Sequence, residues 1–422
     1  MEKTKIPDKA FFKNKQNILF LVLLLYALAT SIITSLDGGD FDVYLEAAQK
    51  LSIKENIYAP PFIRGLQYYY SVFFALILIP FSFTTFISEV IWSLLSYFFL
   101  YRIFTLIKTY FDFTLLTTKQ YRTWVILTLI LSLQFILYNV AMIQITFFLL
   151  WAIFESLNLI SKRKNSLAGI LLGLAINIKL MPIIMLAYLF YRGHFKALGS
   201  TVVTFITLLF LPSLFIGHDF NLYLLSEWWK IINPANKEHM FETEIGTHSI
   251  VAWLPVFLTE TTGEMPYKRN LLNLEPDIVS MIVNLVRLLF LAASIFFLKS
   301  IPFKKENNKL KSFWEVSYFV MLIPLLLPHQ QKYNFILVLP MIMYLLYFFI
   351  RTYKTHTQLF HKFIFWSFIA SVIIYTPLYG SDIIGKFLFR YTQHFRLLTF
   401  CTVLLIPIAL YCNPKKLTVQ YD

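Results

Sequence analysis

Residues 36–61 read LDGGDFDVYLEAAQKLSIKENIYAPP, and they set three carboxylates, Asp37, Asp40 and Asp42, directly after a long apolar run. That run, residues 17–35, is about the length a membrane helix needs. No small-residue cleavage site follows it, so it reads as a retained first span rather than a removed leader. The carboxylates thus fall where a membrane helix meets water. Beyond them Val43, Leu45, Ala47, Ala48 and Leu51 alternate with Glu46, Gln49 and Lys50, the pattern of a short amphipathic helix lying along the interface. Asp40 or Asp42 would cap or precede it.

Working outward, apolar runs of spanning length recur through all 422 residues. The chain is 58% hydrophobic and 14% charged, with mean hydropathy +0.65, which excludes a soluble globular domain. The net charge of +14 does not point to nucleic acid, because Lys and Arg gather in short tracts between apolar runs. That distribution marks cytoplasmic loops. The two cysteines, Cys401 and Cys412, sit in or beside the last apolar run and offer neither a disulfide framework nor a metal site. The expected fold is an all-α polytopic membrane protein: one integral membrane domain over residues 1–422, with about ten full spans and two partial ones.

The amino-terminal tail carries Lys3, Lys5, Lys9, Lys13 and Lys15 and reads as cytoplasmic, which places residues 37–68 in a first outer loop. Tyr68, Tyr69 and Tyr70 suit an aromatic belt at the headgroup level. If the next two apolar runs were both full spans, Lys108, Lys119, Arg122, Lys162, Arg163 and Lys164 would all lie outside. The positive-inside rule is satisfied if residues 72–83, broken at Pro80, only dip into the bilayer. Residues 166–191 pose a second length problem. Their 26 residues lie between the basic tracts SKRKN and RGHFK, whereas two spans need about 40. Two half-helices meeting near INIKLMP resolve it, with Lys179 and Pro182 at the break. Irregular backbone at that depth is tolerated where it lines a cavity, and an ionisable residue there is a site candidate; the plainer reading is a lysine snorkelling to a headgroup.

Residues 217–276 form a long outer loop with Trp228, Trp229, Pro234, Glu242, Glu244, Thr247 and His248. The next span holds Asn284 and Arg287 near mid-depth. KSIPFKKENNKLK is cytoplasmic, PHQQKYN turns at the outer face, and Lys415 and Lys416 end inside. The carboxylates of residues 37–42, Asn139 and Gln144, Lys179, the His248 loop and the His329–Lys332 turn therefore open on one side. Only 12 glycines are present, and none builds a nucleotide-binding loop. A lipid-borne donor reaching the site from within the bilayer fits a centre on that face.

Asp40-Phe41-Asp42-Val43-Tyr44, Ala47-Ala48, Asn56-Ile57-Tyr58 and the tyrosines at 68–70 resemble the first-loop pattern of the GT-C membrane glycosyltransferases of family 87, the polyprenyl-phosphate-mannose-dependent mannosyltransferases. The resemblance continues through Gln144, GILLGLAINIKLMP (169–182), GTHSI (246–250) and PHQQKYNFILVLP, covering most of residues 17–345. The chain departs from that pattern at Ile143-Gln144-Ile145-Thr146, where the family commonly has Gly-Gln-x-Asn, and at Tyr70-Ser71-Val72, where it commonly has Tyr-Pro-Pro.

The resemblance implies a GT-C-like bundle of about ten to twelve membrane helices, partial or re-entrant ones included, with interfacial helices in the outer loops. It implies inverting transfer of one hexose, mannose, from polyprenyl phosphate to a hydroxyl of a glycolipid or glycan acceptor. Such chemistry needs a carboxylate as general base and positive charge for the departing phosphate. Asp40 occupies the acidic position of the pattern and is the expected base, with Asp42 able to share the task. Lys179, then His329 and Lys332, are the candidates for the donor phosphate, and Gln144 and His248 for substrate contact. No cofactor is required. A divalent ion between Asp40 and Asp42 is the alternative if their segment is extended; on a helix the two side chains diverge by about 200°. The expected partners are the donor, the acceptor and the bilayer, with no nucleic acid. The expected setting is a bacterial plasma (inner) membrane, both termini cytoplasmic and the active site on the outer face. A lipid or small-molecule transporter is the rival class, motivated by Arg102, Lys179 and Arg287 in apolar sequence, although no matched halves are visible. A catalytically silent scaffold is the third reading.

Overall fold

The computed structural model describes residues 9–233, 236, 246–299, 301–353 and 358–417. Lys3, Lys5, Pro234, Glu242 and Glu244 lie outside them. Among the described residues the regular structure is helical, with one isolated bridge between Thr247 and Gln331. A long helix α1 (Lys9–Asp37) bends by 62° into α2 (Phe41–Ser52). The bend needs the glycines at 38 and 39. Gly38 has φ +67°, and a Cβ on Gly39 would lie 2.7 Å from the carbonyl oxygen of Met142. A short α3 (Val72–Leu78) follows, then α4 (Thr85–Lys108), α5 (Thr118–Ala141), α6 (Thr146–Ser161) and α7 (Asn165–Ile178).

After the break at Lys179 come α8 (Met185–Tyr191), α9 (Phe195–Phe210), α10 (Ser213–Ile216), α11 (His218–Ile232) and α12 (Ile250–Leu258). The rest is α13 (Pro276–Leu298), α14 (Lys309–Leu326), α15 (Leu339–Thr352), α16 (Leu359–Val372), α17 (Ser381–Ile384), α18 (Lys386–His394) and α19 (Leu397–Tyr411). Among the described residues five helices are long and apolar enough to cross a membrane, seven if each of two bent pairs is one span. Shorter apolar helices, including Val72–Phe81 and Asn165–Ile178, complete the bundle. Val72–Phe81 spans about 15 Å, half of a bilayer core, so the dipping segment of the sequence reading is a short helix here.

Burial runs opposite to that of a soluble protein. The run from Lys332 to Thr352 is almost wholly enclosed, as is nearly all of α14, while most of α13 faces outward. The exposed Leu and Phe side chains of α1, α4 and α13 are what a hydrocarbon solvent requires. Against the central pair pack α5, α6, α8, α12, α13 and α19, with α1, α4 and α9 seated on other helices, and the turns of the bundle sort onto two faces. On one, the Met142 carbonyl accepts from the Asp40 N–H at 3.0 Å, and the His248 N–H donates to the Gln330 carbonyl at 2.7 Å. On the other, Tyr110 stacks near Phe313 at 5.3 Å, and the Gln120 amide donates to the Ile350 carbonyl at 3.1 Å. Arg192 is buried on that second face. Its Nε donates to Glu315 at 2.9 Å and its other nitrogens to the carbonyls of Lys304 and Leu298.

Two intramembrane arginines of the sequence reading find polar partners. Arg102 pairs with Glu155 at 2.9 Å, and Arg287 donates to Asn284 at 3.2 Å. The half-helix α7 is seated by Gly169 and Gly173, four residues apart. A Cβ on Gly169 would stand 2.3 Å from the Ala197 carbonyl oxygen, and one on Gly173 2.6 Å from that of Thr201. This is the small-residue crossing that lets helices meet without lipid between them. Gly169→Val should therefore cost about 3 kcal/mol or more and lower the detergent melting temperature, while Gly199→Ala on α9, whose Cβ would meet open space, should leave it unchanged. Equal melting of both variants would refute this account of the crossing.

Candidate active site

The bend after α1 delivers Asp40 to the N-cap of α2, yet its side chain makes no capping bond to that helix. Instead its Oδ2 accepts from the Gln144 amide, which the α5–α6 turn presents. Together with the Asp40 N–H on Met142, this joins two turns about a hundred residues apart. Asp40 is half-buried. Burial pushes its carboxyl above the usual carboxylate range, and the Gln144 hydrogen bond and the charges of Lys179 and Arg64 pull it partway back. The side-chain carbonyl oxygen of Gln144 is buried and has no hydrogen-bond partner among the described residues.

Asp42 leads elsewhere. It forms an ion pair with Arg64 at 2.9 Å and interacts with Glu89 of α4. Asp42 sits in the first turn of α2, so the two carboxylates diverge as helical neighbours do, and the extended arrangement that would let them share an ion is not the one adopted. Among the described residues no group of three or more His, Cys, Asp and Glu gathers at one point.

Lys179 stands at the C-terminal end of α7 in extended backbone (φ −143°, ψ 125°), where the helix breaks before Pro182. Its Nζ donates to the Tyr70 hydroxyl at 3.2 Å and lies 5.0 Å over that ring. The Tyr70 hydroxyl in turn meets the Tyr44 hydroxyl at 2.5 Å, and Tyr58 donates to the Tyr70 carbonyl at 2.9 Å. Asp40 and Lys179 act on each other's charge. Asn177, two residues before the break, accepts from the Ser71 hydroxyl at 2.9 Å. An acid at one turn, an amide at another and a cation at a helix break thus meet over a floor of phenols.

That floor corrects the sequence reading. Tyr68 and Tyr70 are 1% and 6% exposed, so they are not headgroup-level anchors. Their hydroxyls need partners when buried, and Ser71, Tyr44 and Lys179 supply them. Tyr69 is half-exposed and its ring lies 5.0 Å from that of His329. Trp228 of the long loop donates to the Tyr69 carbonyl at 3.2 Å. The expected interfacial helix α2 is likewise mostly protein-covered: Phe41 stacks on Trp92 at 5.0 Å, and Tyr44 packs against Phe74 at 5.4 Å.

The remaining candidates ring this centre at different distances. His329 has φ +54° and leans on Tyr69, beside the Lys179–Tyr70 contact. Lys332 extends over the Phe389 ring at 5.7 Å. Asn139 donates to the Tyr333 carbonyl at 2.9 Å and Thr146 to Asn334 at 3.2 Å, fastening the α5–α6 hairpin to this segment. His248 is enclosed, 1% exposed, edge-on to Phe335. Burial and the charges of Arg396 and Lys332 push its ring down to about 3, so it is neutral at physiological pH. It braces the His329 turn through its backbone rather than lying beside Asp40. Arg64, Tyr44 and Tyr70 are the site residues the sequence reading missed. Their signal, two phenols and an arginine in or just after the first outer loop, reads equally as interface anchoring.

The model of glycosyltransferase family 87 matches residues 68–298. The match covers more than half of the chain, which belongs to this family: it is a membrane glycosyltransferase. Comparisons with curated proteins and with solved structures give no match. Because the Gln144 amide stabilises the charged carboxylate, Gln144→Ala should move the Asp40 titration to still higher pH. Difference infrared spectra of the carboxyl stretch, assigned with Asp40→Asn, should show this; an unchanged or lowered midpoint would contradict the hydrogen bond's role.

Proposed function

We propose that this glycosyltransferase is of the GT-C type and moves one hexose, mannose, from a polyprenyl-phosphate donor to an acceptor hydroxyl on a glycolipid or glycan, with inversion. The acceptor oxygen attacks the anomeric carbon from the side opposite the phosphate. Its proton passes to the Asp40 carboxylate, and the bond from the anomeric carbon to the phosphate oxygen breaks, leaving a lipid monophosphate with the electron pair. A base whose carboxyl is raised by burial takes that proton more readily than an exposed one.

Lys179, seated on Tyr70, neutralises the charge that develops on the departing phosphate, with His329 nearby and Lys332 further out. Gln144 holds Asp40 in the ionised form and offers its unpartnered carbonyl to a sugar hydroxyl. His248 keeps the PHQQKYN turn in place. Asp42, engaged by Arg64, orients the first loop, and no cofactor enters the scheme. The single observation that carries this reading is geometric: the Asp40 carboxylate, held by the Gln144 amide, and the Lys179 ammonium, held by the Tyr70 hydroxyl, both border the buried Tyr44–Tyr70 pair.

The reading places this chamber on the outer face of a bacterial plasma membrane, with residues 37–68 and 217–276 as outer loops and both termini inside. What supports it is the gathering of Lys108, Lys119, Arg122, Lys162, Arg163 and Lys164 at helix ends on the face opposite Asp40. In vesicles supplied with labelled polyprenyl-phosphate mannose, Asp40→Asn should lower transfer by about 10²-fold or more. Lys179→Met should reduce kcat while Lys179→Arg retains part of it. Undiminished transfer by Asp40→Asn would overturn the mechanism.

A further inference from the structure

Away from the candidate active site, α4, α6 and α7 border a wide-open groove of about 670 Å³ on the surface of the bundle. That volume lies in the range that holds a small-molecule-sized ligand. Phe98 and Trp151 wall one end; Leu159 and Leu167 wall the other, next to the α6–α7 turn. Inside this apolar groove stands the ion pair of Arg102 and Glu155.

The pair is unevenly satisfied. Glu155 accepts from Arg102 on one oxygen and from Asn158 at 2.9 Å on the other. Arg102 spends only Nη2 on it. Its Nε and Nη1 make no hydrogen bond with any described residue, and its side chain is 36% exposed. Arg102 lies six residues, about 9 Å, before the end of α4, and its head group stands among the apolar walls of the groove. Unmet N–H groups at that depth are costly, and the groove therefore calls for an acceptor, not a donor.

The turn that closes the groove supplies a second, independent requirement. Lys162, Arg163 and Lys164 are exposed there, and among the described residues none of the three forms an ion pair. Three adjacent cations at the turn beside the groove, an arginine with unmet donors within, and apolar walls between them match one amphiphile: an anionic phosphodiester headgroup at the turn, ester carbonyl oxygens at Arg102, acyl chains along the walls. We propose that this groove is a binding site for an anionic diacyl phospholipid of the surrounding membrane, distinct from the Asp40–Lys179 chamber at the opposite face. The site stands whether or not the donor assignment does.

The experiment is native mass spectrometry of the full-length protein released from detergent after incubation with phosphatidylglycerol or phosphatidylcholine. The wild type should retain one phosphatidylglycerol with about tenfold preference over phosphatidylcholine. The variant K162Q/R163Q/K164Q should lose that preference. Arg102→Gln leaves Glu155 unpaired and risks misfolding, so the uncharged double variant R102Q/E155Q, which removes both members of the pair, tests the groove itself and should shorten retention several-fold. Equal retention of the two lipids by the wild type, or a preference unaltered by either variant, would overturn the proposal. So would exclusive labelling by a photoreactive polyprenyl phosphate, and not by a photoreactive phosphatidylglycerol, of a crosslinking site at Ile170.

Discussion

Two turns far apart in sequence are tied together by the hydrogen bonds from the Gln144 amide to the Asp40 carboxylate and from the Asp40 N–H to the Met142 carbonyl. In water such a pair would contribute little, since either partner could turn to solvent. At the edge of a bilayer the alternative is an unpaired polar group, which is costly. The contact therefore dictates where α2 begins, why Gly39 has no side chain, and which way Asp40 points. Had Asp40 capped its own helix in the ordinary manner, its oxygens would be spent on backbone N–H groups and closed to any other proton.

The cation opposite depends on a different device. Lys179 is placed by a helix that stops short, and α7 can stop there because Gly169 and Gly173 let it lie directly on α9. Close backbone contact replaces the side-chain packing a longer helix would use. The extended residue at the break then projects its ammonium onto Tyr70, whose ring and hydroxyl both receive it. Charge and phenol satisfy one another, and the tyrosines below them form a polar floor inside an otherwise apolar bundle.

Much of this was legible in the chain. Spans announce themselves because lipid tolerates only apolar side chains, and the shortness of residues 166–191 with Pro182 revealed the break at Lys179 before any geometry. Asp40 was legible from its place after the first span and from the family pattern. The tyrosines were not: a phenol at the headgroup and a phenol in a buried network have the same sequence signature, and only the partners distinguish them. Nor was the Asp42–Arg64 pair, whose members lie 22 residues apart with Arg64 in left-handed backbone (φ +54°). His248 stood out as a substrate-contact candidate in a long loop, yet its ring is enclosed and its backbone does the bracing.

The most direct test of the central claim is an electron cryomicroscopy structure of the full chain with a polyprenyl phosphate bound. The account predicts density for the phosphate against the Lys179 ammonium and the Tyr70 hydroxyl, with the Asp40 carboxylate facing the same chamber from the Gln144 side. A phosphate bound at the opposite face, with packed protein filling the space between Asp40 and Lys179, would contradict it.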